Sequence, residues 1–81
     1  MNKKRRAEIL KAASMLDKAA EILDSCIEGE RDYFDNMSEP MKSRERGRSA
    51  KDAISRLESA RDAIDEDYMI LSDFYLDPRR V

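Results

Sequence analysis

The chain contains no histidine, no tryptophan and only one cysteine, and it has just two glycines and two prolines among its 81 residues. Without histidine, and with Cys26 as the lone thiol, the usual zinc sites and cysteine–histidine or serine–histidine catalytic pairs cannot be assembled. A single cysteine also excludes a disulfide within the chain, which fits a reducing compartment. Few turn residues leave no room for a many-stranded sheet. These absences predict a small helical protein that is not an enzyme and needs no metal or other cofactor.

Long hydrophobic runs are also missing. The longest uninterrupted apolar stretch covers residues 69–71, far short of the ~20 residues that a membrane-spanning helix needs. The basic segment 1–6 is similar to the start of a signal peptide, but Glu8, Lys11 and Asp17 interrupt the apolar segment that should follow. We therefore expect a cytoplasmic protein with no membrane partner.

The apolar residues of the first half recur with a period of about 3.5, which is typical of a helix that buries one stripe. Counting heptads from Ile9, the a, d and e positions are apolar except for Glu30. Position a holds Ile9, Leu16, Leu23, Glu30 and Met37, position d holds Ala12, Ala19, Cys26 and Tyr33, and position e holds Ala13, Ala20, Ile27 and Phe34. The pattern predicts a helix over residues 4–35 with Cys26 as a small buried hydrophobe, and it places Leu10, Met15 and Ile22 beside the buried stripe.

A second stripe of the same period predicts a helix over residues 44–76, which Asp77-Pro78 ends because proline cannot continue it. Position a holds Ala50, Leu57, Ile64 and Leu71, position d holds Ala53, Ala60, Asp67 and Phe74, and position e holds Ile54, Arg61, Tyr68 and Tyr75. The connecting loop, residues 36–43, contains Ser38 ahead of Pro40, which favours an N-cap and one short helical turn. Ser43 is a second candidate cap. A short basic tail, 77–81, completes a single domain over residues 1–81.

Charge is distributed in alternating blocks, although lysine and arginine (16) nearly balance aspartate and glutamate (18). Residues 1–16 carry a net +4, residues 17–39 a net −6, residues 40–51 a net +4 and residues 52–77 a net −6. Folding the chain at the loop places each basic block beside an acidic one, which favours an antiparallel pairing of the helices. We therefore expect an all-α, antiparallel two-helix hairpin. Its apolar stripes are broader than one seam can cover, which favours a homodimer in the form of a four-helix bundle.

Two regions are the candidate surfaces for a partner protein, because aromatic and arginine side chains are enriched at binding hot spots. The first is the loop with its basic flank: Tyr33, Phe34, Met37, Met41, Arg44, Arg46 and Arg48. The second is the acidic end of the second helix: Asp62, Asp65, Glu66, Asp67 and Asp73.

Three other interpretations of the charged residues are weaker. The basic cluster at residues 3–6 could contact phosphate, but a net charge of −2 and the lack of interleaved aromatics favour a solvated helix start, so direct nucleic-acid binding is not expected. The acidic run of the second helix could mimic a nucleic-acid backbone. The carboxylate pairs Glu21/Asp24 and Asp62/Asp65 have the i, i+3 spacing of helical magnesium sites, although such spacings arise by chance among so many acids.

The central segment resembles a group of short proteins from bacteriophages and prophages, in which an aromatic-Asp-Asn-Met element and a Glu-Arg-Gly element lie between two heptad-like helices. The residues that carry the resemblance are Tyr33-Phe34-Asp35-Asn36-Met37-Ser38-Glu39 and Ser43-Arg44-Glu45-Arg46-Gly47. The resemblance implies a helical hairpin and a phage accessory protein, without assigning a role to any residue.

Together with the small size, the dense charge and the lack of a catalytic constellation, the resemblance leads us to expect a non-enzymatic protein that binds and inhibits a host bacterial protein. A component of a defence system such as CRISPR–Cas is the expected target. An acidic nucleic-acid mimic and a structural or assembly coiled-coil protein are the alternatives.

Overall fold

The computed structural model describes residues 2–76, with the side chains of residues 75 and 76 left aside, and consists of three helices. Helix α1 spans Lys3–Asp35, α2 is a single turn at Glu39–Lys42, and α3 spans Glu45–Leu76. The two long helices pack against each other, so the predicted all-α hairpin is confirmed. The predicted basic tail, residues 77–81, lies outside the described residues.

Helix α1 is a continuous helix of 33 residues, or about 50 Å at 1.5 Å per residue. Asn2 caps its start, because the Asn2 side chain accepts a hydrogen bond from the backbone N–H of Arg5 at 2.8 Å. At the other end the backbone N–H of Asn36 donates to the carbonyl of Asp32 at 3.0 Å. Gly29 lies inside the helix without interrupting it.

The turn between the long helices is built around α2. The Ser38 hydroxyl accepts a hydrogen bond from the Met41 backbone N–H at 3.4 Å, and Pro40 lies in the first turn. Both the predicted cap and the predicted short turn are therefore confirmed. Ser43 has a different role from a cap of α3: it ends α2, and its hydroxyl donates to the carbonyl of Glu39 at 3.3 Å. The following long helix starts at Glu45, one residue later than expected.

Two ion pairs between the long helices define an antiparallel register. Arg31 pairs with Glu58 at 3.0 Å, and Asp24 pairs with Arg61 at 2.8 Å. As residue numbers fall along α1, the numbers of the paired residues on α3 rise. The product is a rod of 58 × 16 × 15 Å whose radius of gyration is 18.0 Å, compared with about 12 Å for a compact domain of this length.

The interhelix seam follows steps of three and four residues on each helix. On α1 it comprises the buried Ala13, Ala20 and Ile27 and the half-buried Leu16, Leu23, Glu30 and Phe34. On α3 it comprises the buried Gly47 and Ala50 and the half-buried Ile54, Leu57, Arg61, Ile64 and Leu71. On α1 these are the a and e positions of the predicted heptads. On α3 they are a and e positions as well, but Ala53 and Phe74 at d positions are also half-buried and Tyr68 at an e position is exposed.

The predicted d positions of α1 lie largely outside the seam. Ala12, Cys26 and Tyr33 are exposed, and Ala19 is half-buried. The prediction that Cys26 is buried was therefore wrong. Helix α1 is apolar over a wider arc than α3 can cover, and the d positions are the part of that arc left open.

Within residues 2–76, no helix has the length and apolar character that crossing a bilayer requires.

Candidate protein-interaction surfaces

The seam divides the hairpin into two long flanks of opposite character. In an antiparallel helix pair, the residues that border the seam on one side meet each other, and those on the other side do likewise. On one flank the bordering residues are charged and form the interhelix ion pairs. On the other flank α1 presents apolar and small residues.

The charged flank forms a shallow groove, which we call the acidic groove. Its lining residues are Asp24, Ile27, Glu28, Arg31, Glu58, Arg61 and Asp62. Arg61 reaches from the seam of α3 to Asp24 on α1 and also hydrogen-bonds Asp65 one turn further along α3. The hydrogen bond to Asp24, followed by that to Asp65, raises the pKa of Arg61 above its usual range. A raised pKa favours the charged form, so Arg61 remains a cation at neutral pH and its pairing weakens only in strong alkali.

Each of the two carboxylate pairs with magnesium-site spacing has one member that pairs with the guanidinium of Arg61. Asp24 belongs to the first i, i+3 pair and Asp65 to the second, and Arg61 bonds to both. In the part of the chain between residues 2 and 76, no three cysteine, aspartate or glutamate side chains are grouped closely enough to hold a metal ion. The acidic groove is therefore best described as an ion-paired surface.

The predicted acidic surface of α3 is divided by the helix geometry. All five of its carboxylates are exposed: Asp62, Asp65, Glu66, Asp67 and Asp73. At 100° per residue, Asp62, Glu66 and Asp73 share one outward arc with Asp65 at its edge. Asp67 lies on the opposite, apolar flank. The structure thus brings four of the five together and separates the fifth.

The predicted loop surface is likewise divided, between a packed interior and an exposed rim. Phe34 is half-buried beneath two ammonium groups, with Lys42 Nζ 5.4 Å and Lys51 Nζ 5.5 Å from the ring centroid. Met37 and Met41 are also half-buried. These three residues hold the turn together and present little surface to a partner.

The exposed rim consists of arginines, and we call Arg44, Arg46 and Arg48 the turn-end surface. Arg48 also closes the turn, since its Nε donates to the carbonyl of Ser43 at 3.3 Å. Tyr33, half exposed, faces Arg46 across a second shallow groove at the junction with the apolar flank. That groove is lined by Glu30, Tyr33, Glu45, Arg46, Ser49 and Ala50.

The apolar flank of α1 carries a second heptad stripe, which we call the outer stripe: Ala12, Met15, Ala19, Ile22, Cys26, Gly29 and Tyr33. Met15 is 59% exposed and Ile22 is 64% exposed. Leu10, which was predicted to lie beside the buried stripe together with Met15 and Ile22, is exposed as well. On α3, Ala63, Met69 and Ile70 are exposed as well.

Sequence reasoning missed two residues that organise these surfaces. Arg61 was visible only as a charge that interrupts the second stripe, and its reach to Asp24 depends on the register of the two helices. Gly47 was visible only as part of the Glu-Arg-Gly element of the central segment. A Cβ at Gly47 would lie 2.1 Å from the carbonyl oxygen of Lys42, so glycine is what allows α2 to fold against α3.

Comparison with protein-family models, with curated proteins and with solved structures found no match for this chain.

Proposed function

We propose that this chain is a small non-enzymatic phage accessory protein that binds and inhibits a bacterial host protein, and that the turn-end surface makes the principal contact. The observation that carries the proposal is the exposure of Arg44, Arg46 and Arg48 on a turn whose interior is packed. Arginine is among the residues that contribute most to binding at protein interfaces, because its planar guanidinium combines apolar stacking with several hydrogen-bond donors.

The turn is held in place before any partner binds. Two ammonium groups cover the Phe34 ring, Ser38 caps α2, and Gly47 permits direct backbone contact between α2 and α3. A surface that is already ordered loses less conformational entropy on binding than a flexible loop does. The arginines therefore project from a fixed base.

The phage setting is supported by the resemblance of residues 33–47 to short phage proteins. We propose that the partner is a component of a defence system such as CRISPR–Cas in the cytoplasm of the bacterial host. Such a partner would present acidic or carbonyl-rich surface to the arginines, since guanidinium groups pair with carboxylates.

A nucleic-acid mimic is the second candidate, and the outward arc of α3 favours it. Asp62, Glu66 and Asp73 project along one side of the helix, with Asp65 beside them. A mimic would bind the nucleic-acid site of its target, so duplex DNA should compete with it, and binding should weaken steeply with salt. A third candidate, an assembly protein, would co-purify with phage particles.

The test is a pull-down from bacterial lysate treated with nuclease, using the tagged wild-type chain and two double variants. Arg44→Ala/Arg46→Ala removes two cations from the turn-end surface. Lys3→Ala/Lys4→Ala removes the same charge from the exposed start of α1 and serves as the matched control. Equal helicity by circular dichroism must be established for all three proteins.

We expect one stoichiometric protein to be captured by the wild type and by the control, and to be lost from the turn-end variant. Equal capture by both variants would show that the contact lies elsewhere on the hairpin. If no host protein is captured by the wild type from any lysate tried, the proposed function is wrong.

A further inference from the structure

The outer stripe of α1 is an interaction surface that the folded hairpin leaves uncovered. Its seven positions, from Ala12 to Tyr33, extend over about 32 Å of helix without a single charged residue. The larger members are well exposed: Met15 by 59%, Ile22 by 64% and Tyr33 by 50%. Contiguous apolar surface of this kind marks a contact with another molecule.

Gly29 gives an independent indication that a helix approaches this face. A glycine inside a helix is unfavourable, and a helix keeps one where another backbone must come close. Gly47 has such a reason within the hairpin, since a Cβ there would strike the carbonyl of Lys42. At Gly29 nothing lies within 4 Å of an added Cβ, and neither glycine adopts a positive φ. The packing of the hairpin therefore gives no reason for a glycine at position 29, and the position is open to the close approach of a second helix.

The accessible surface of the chain has room for a partner of standard size. The chain exposes 6402 Å², whereas a folded monomer of 9.4 kDa is expected to expose about 5000 Å². The excess of about 1400 Å² exceeds the ~800 Å² that each partner buries in a standard interface. The core is correspondingly thin, since the only buried apolar side chains among the described residues are Ala13, Ala20, Ile27 and Ala50.

We infer that the outer stripe binds the outer stripe of a second copy, with the two α1 helices antiparallel about a two-fold axis near Ile22, so that two hairpins form a four-helix bundle. In this pairing Ile22 meets its own copy at the axis, and on either side of it large residues meet small ones. Tyr33 lies opposite Ala12 of the second copy, Met15 opposite its Gly29, and Cys26 opposite its Ala19. A parallel pairing would instead place glycine on glycine and tyrosine on tyrosine, leaving a gap at one level and crowding at another.

Charge complementarity favours the same arrangement. The first half of α1 is basic and the second half is acidic, with net charges of +4 over residues 1–16 and −6 over residues 17–39. The antiparallel pairing places each basic half beside the acidic half of the other copy. The helix dipoles also oppose each other, which offsets the unfavourable location of the cations at the start of α1.

The apolar flank of α3 indicates why α1 meets α1 and not α3 of the second copy. Arg56 and Asp67 interrupt the flank of α3 that adjoins the outer stripe. If α3 covered α1, these charges would be pressed against an apolar surface and desolvated. With like helices facing each other, the two α3 flanks meet each other instead, and neither Arg56 nor Asp67 is pressed against the outer stripe. This inference does not depend on the proposed host partner.

The first test measures the oligomeric state by sedimentation equilibrium for the wild type, Ile22→Glu and Ser14→Glu. Both substitutions add one negative charge to α1 at an exposed position, so neither should unfold the hairpin. Position 22 is on the proposed two-fold axis, whereas position 14 lies about 80° around the helix from it and outside the outer stripe. We expect dimers for the wild type and Ser14→Glu, and a dissociation constant raised by about 100-fold or more for Ile22→Glu, because the two glutamates face each other when desolvated.

The second test fixes the orientation by disulfide formation under mild oxidation. In a Cys26→Ala background, Ile22→Cys should link two chains rapidly, while Ser14→Cys should not. A wild-type chain that stays monomeric throughout the micromolar range would overturn the inference, as would a dimer that survives Ile22→Glu. A dimer in which Ile22→Cys fails to crosslink would overturn the α1–α1 arrangement. A loss of host capture in Arg44→Ala/Arg46→Ala that leaves the dimer intact keeps this inference separate from the proposed function.

Discussion

The two glycines offer a matched pair of substitutions with opposite expected effects on stability. Gly29→Ala and Gly47→Ala have identical composition and mass, and both positions lie inside long helices. At Gly29 an added Cβ meets open space, whereas at Gly47 it would lie 2.1 Å from the Lys42 carbonyl oxygen and 2.5 Å from the carbonyl carbon. Only the packing of α2 distinguishes the two sites.

The magnitudes follow from helix propensity and overpacking. In monomeric protein, Gly29→Ala should raise the free energy of unfolding by about 0.5–1 kcal/mol, because alanine is the better helix former. Gly47→Ala has the same propensity gain, but α2 must move by about 1 Å, and such overpacking costs roughly 1–3 kcal/mol. Movement of α2 also withdraws Lys42 from the Phe34 ring. We therefore expect the two variants to differ by about 2 kcal/mol, or about 8–16 °C in melting temperature.

The assay is urea and thermal unfolding followed by circular dichroism, at a concentration where sedimentation shows each variant to be monomeric. Working below the dimer threshold is essential, because Gly29→Ala alters the proposed interface as well. If Gly47→Ala is as stable as the wild type, α2 and α3 do not pack as closely at Gly47 as described. If Gly29→Ala destabilises the monomer, the helix at that position is constrained by something within the hairpin.

Three further predictions use the same unfolding measurements. Ile27→Ala, at a buried position, should lower the free energy of unfolding by about 2–4 kcal/mol. Ile22→Ala, at an exposed position, should change the free energy of unfolding of the monomer by less than about 1 kcal/mol. Similar losses for the two variants would mean that the wrong stripe has been assigned to the seam. Arg61→Lys keeps the charge but replaces a planar guanidinium with a compact ammonium group, so it should lower the urea midpoint of unfolding at an unchanged net charge. An unaltered midpoint would show that the ion pair between Arg61 and α1 contributes nothing to stability. Lys51→Gln should cost about 0.5–1 kcal/mol through the lost contact with the aromatic ring, and this loss should vanish in a Phe34→Leu background if the ring is its cause.

The sequence by itself determined the class of fold and most of its boundaries. Apolar spacing near 3.5, the shortage of glycine and proline, and the Ser38 cap ahead of Pro40 are local features, and they act on the backbone within a few residues. The alternation of charge fixed the antiparallel sense for a similar reason, since each block needs only to lie near its opposite. Both long helices consequently start within one residue of the predicted positions, and α1 ends at the predicted residue.

Tertiary structure decided which stripe of α1 faces inward. The helix is apolar at three neighbouring heptad positions, so its own sequence is compatible with either of two seams. The choice was made by α3. Pairing through its d positions would bury Asp67, whose short side chain cannot reach water from a seam. Pairing through its e positions admits Arg61, whose long side chain extends from the seam to Asp24.

The same choice left Cys26, Ile22 and Met15 on the surface, and so created the candidate dimer interface. No property of these residues alone distinguishes them from Ala20, Leu23 or Ile27, because each is apolar and each repeats at helical spacing. Which of these side chains is exposed depends on how the two helices pack against each other. The sequence gives the hydrophobicity of each residue, but whether that residue is buried depends on where the second helix packs.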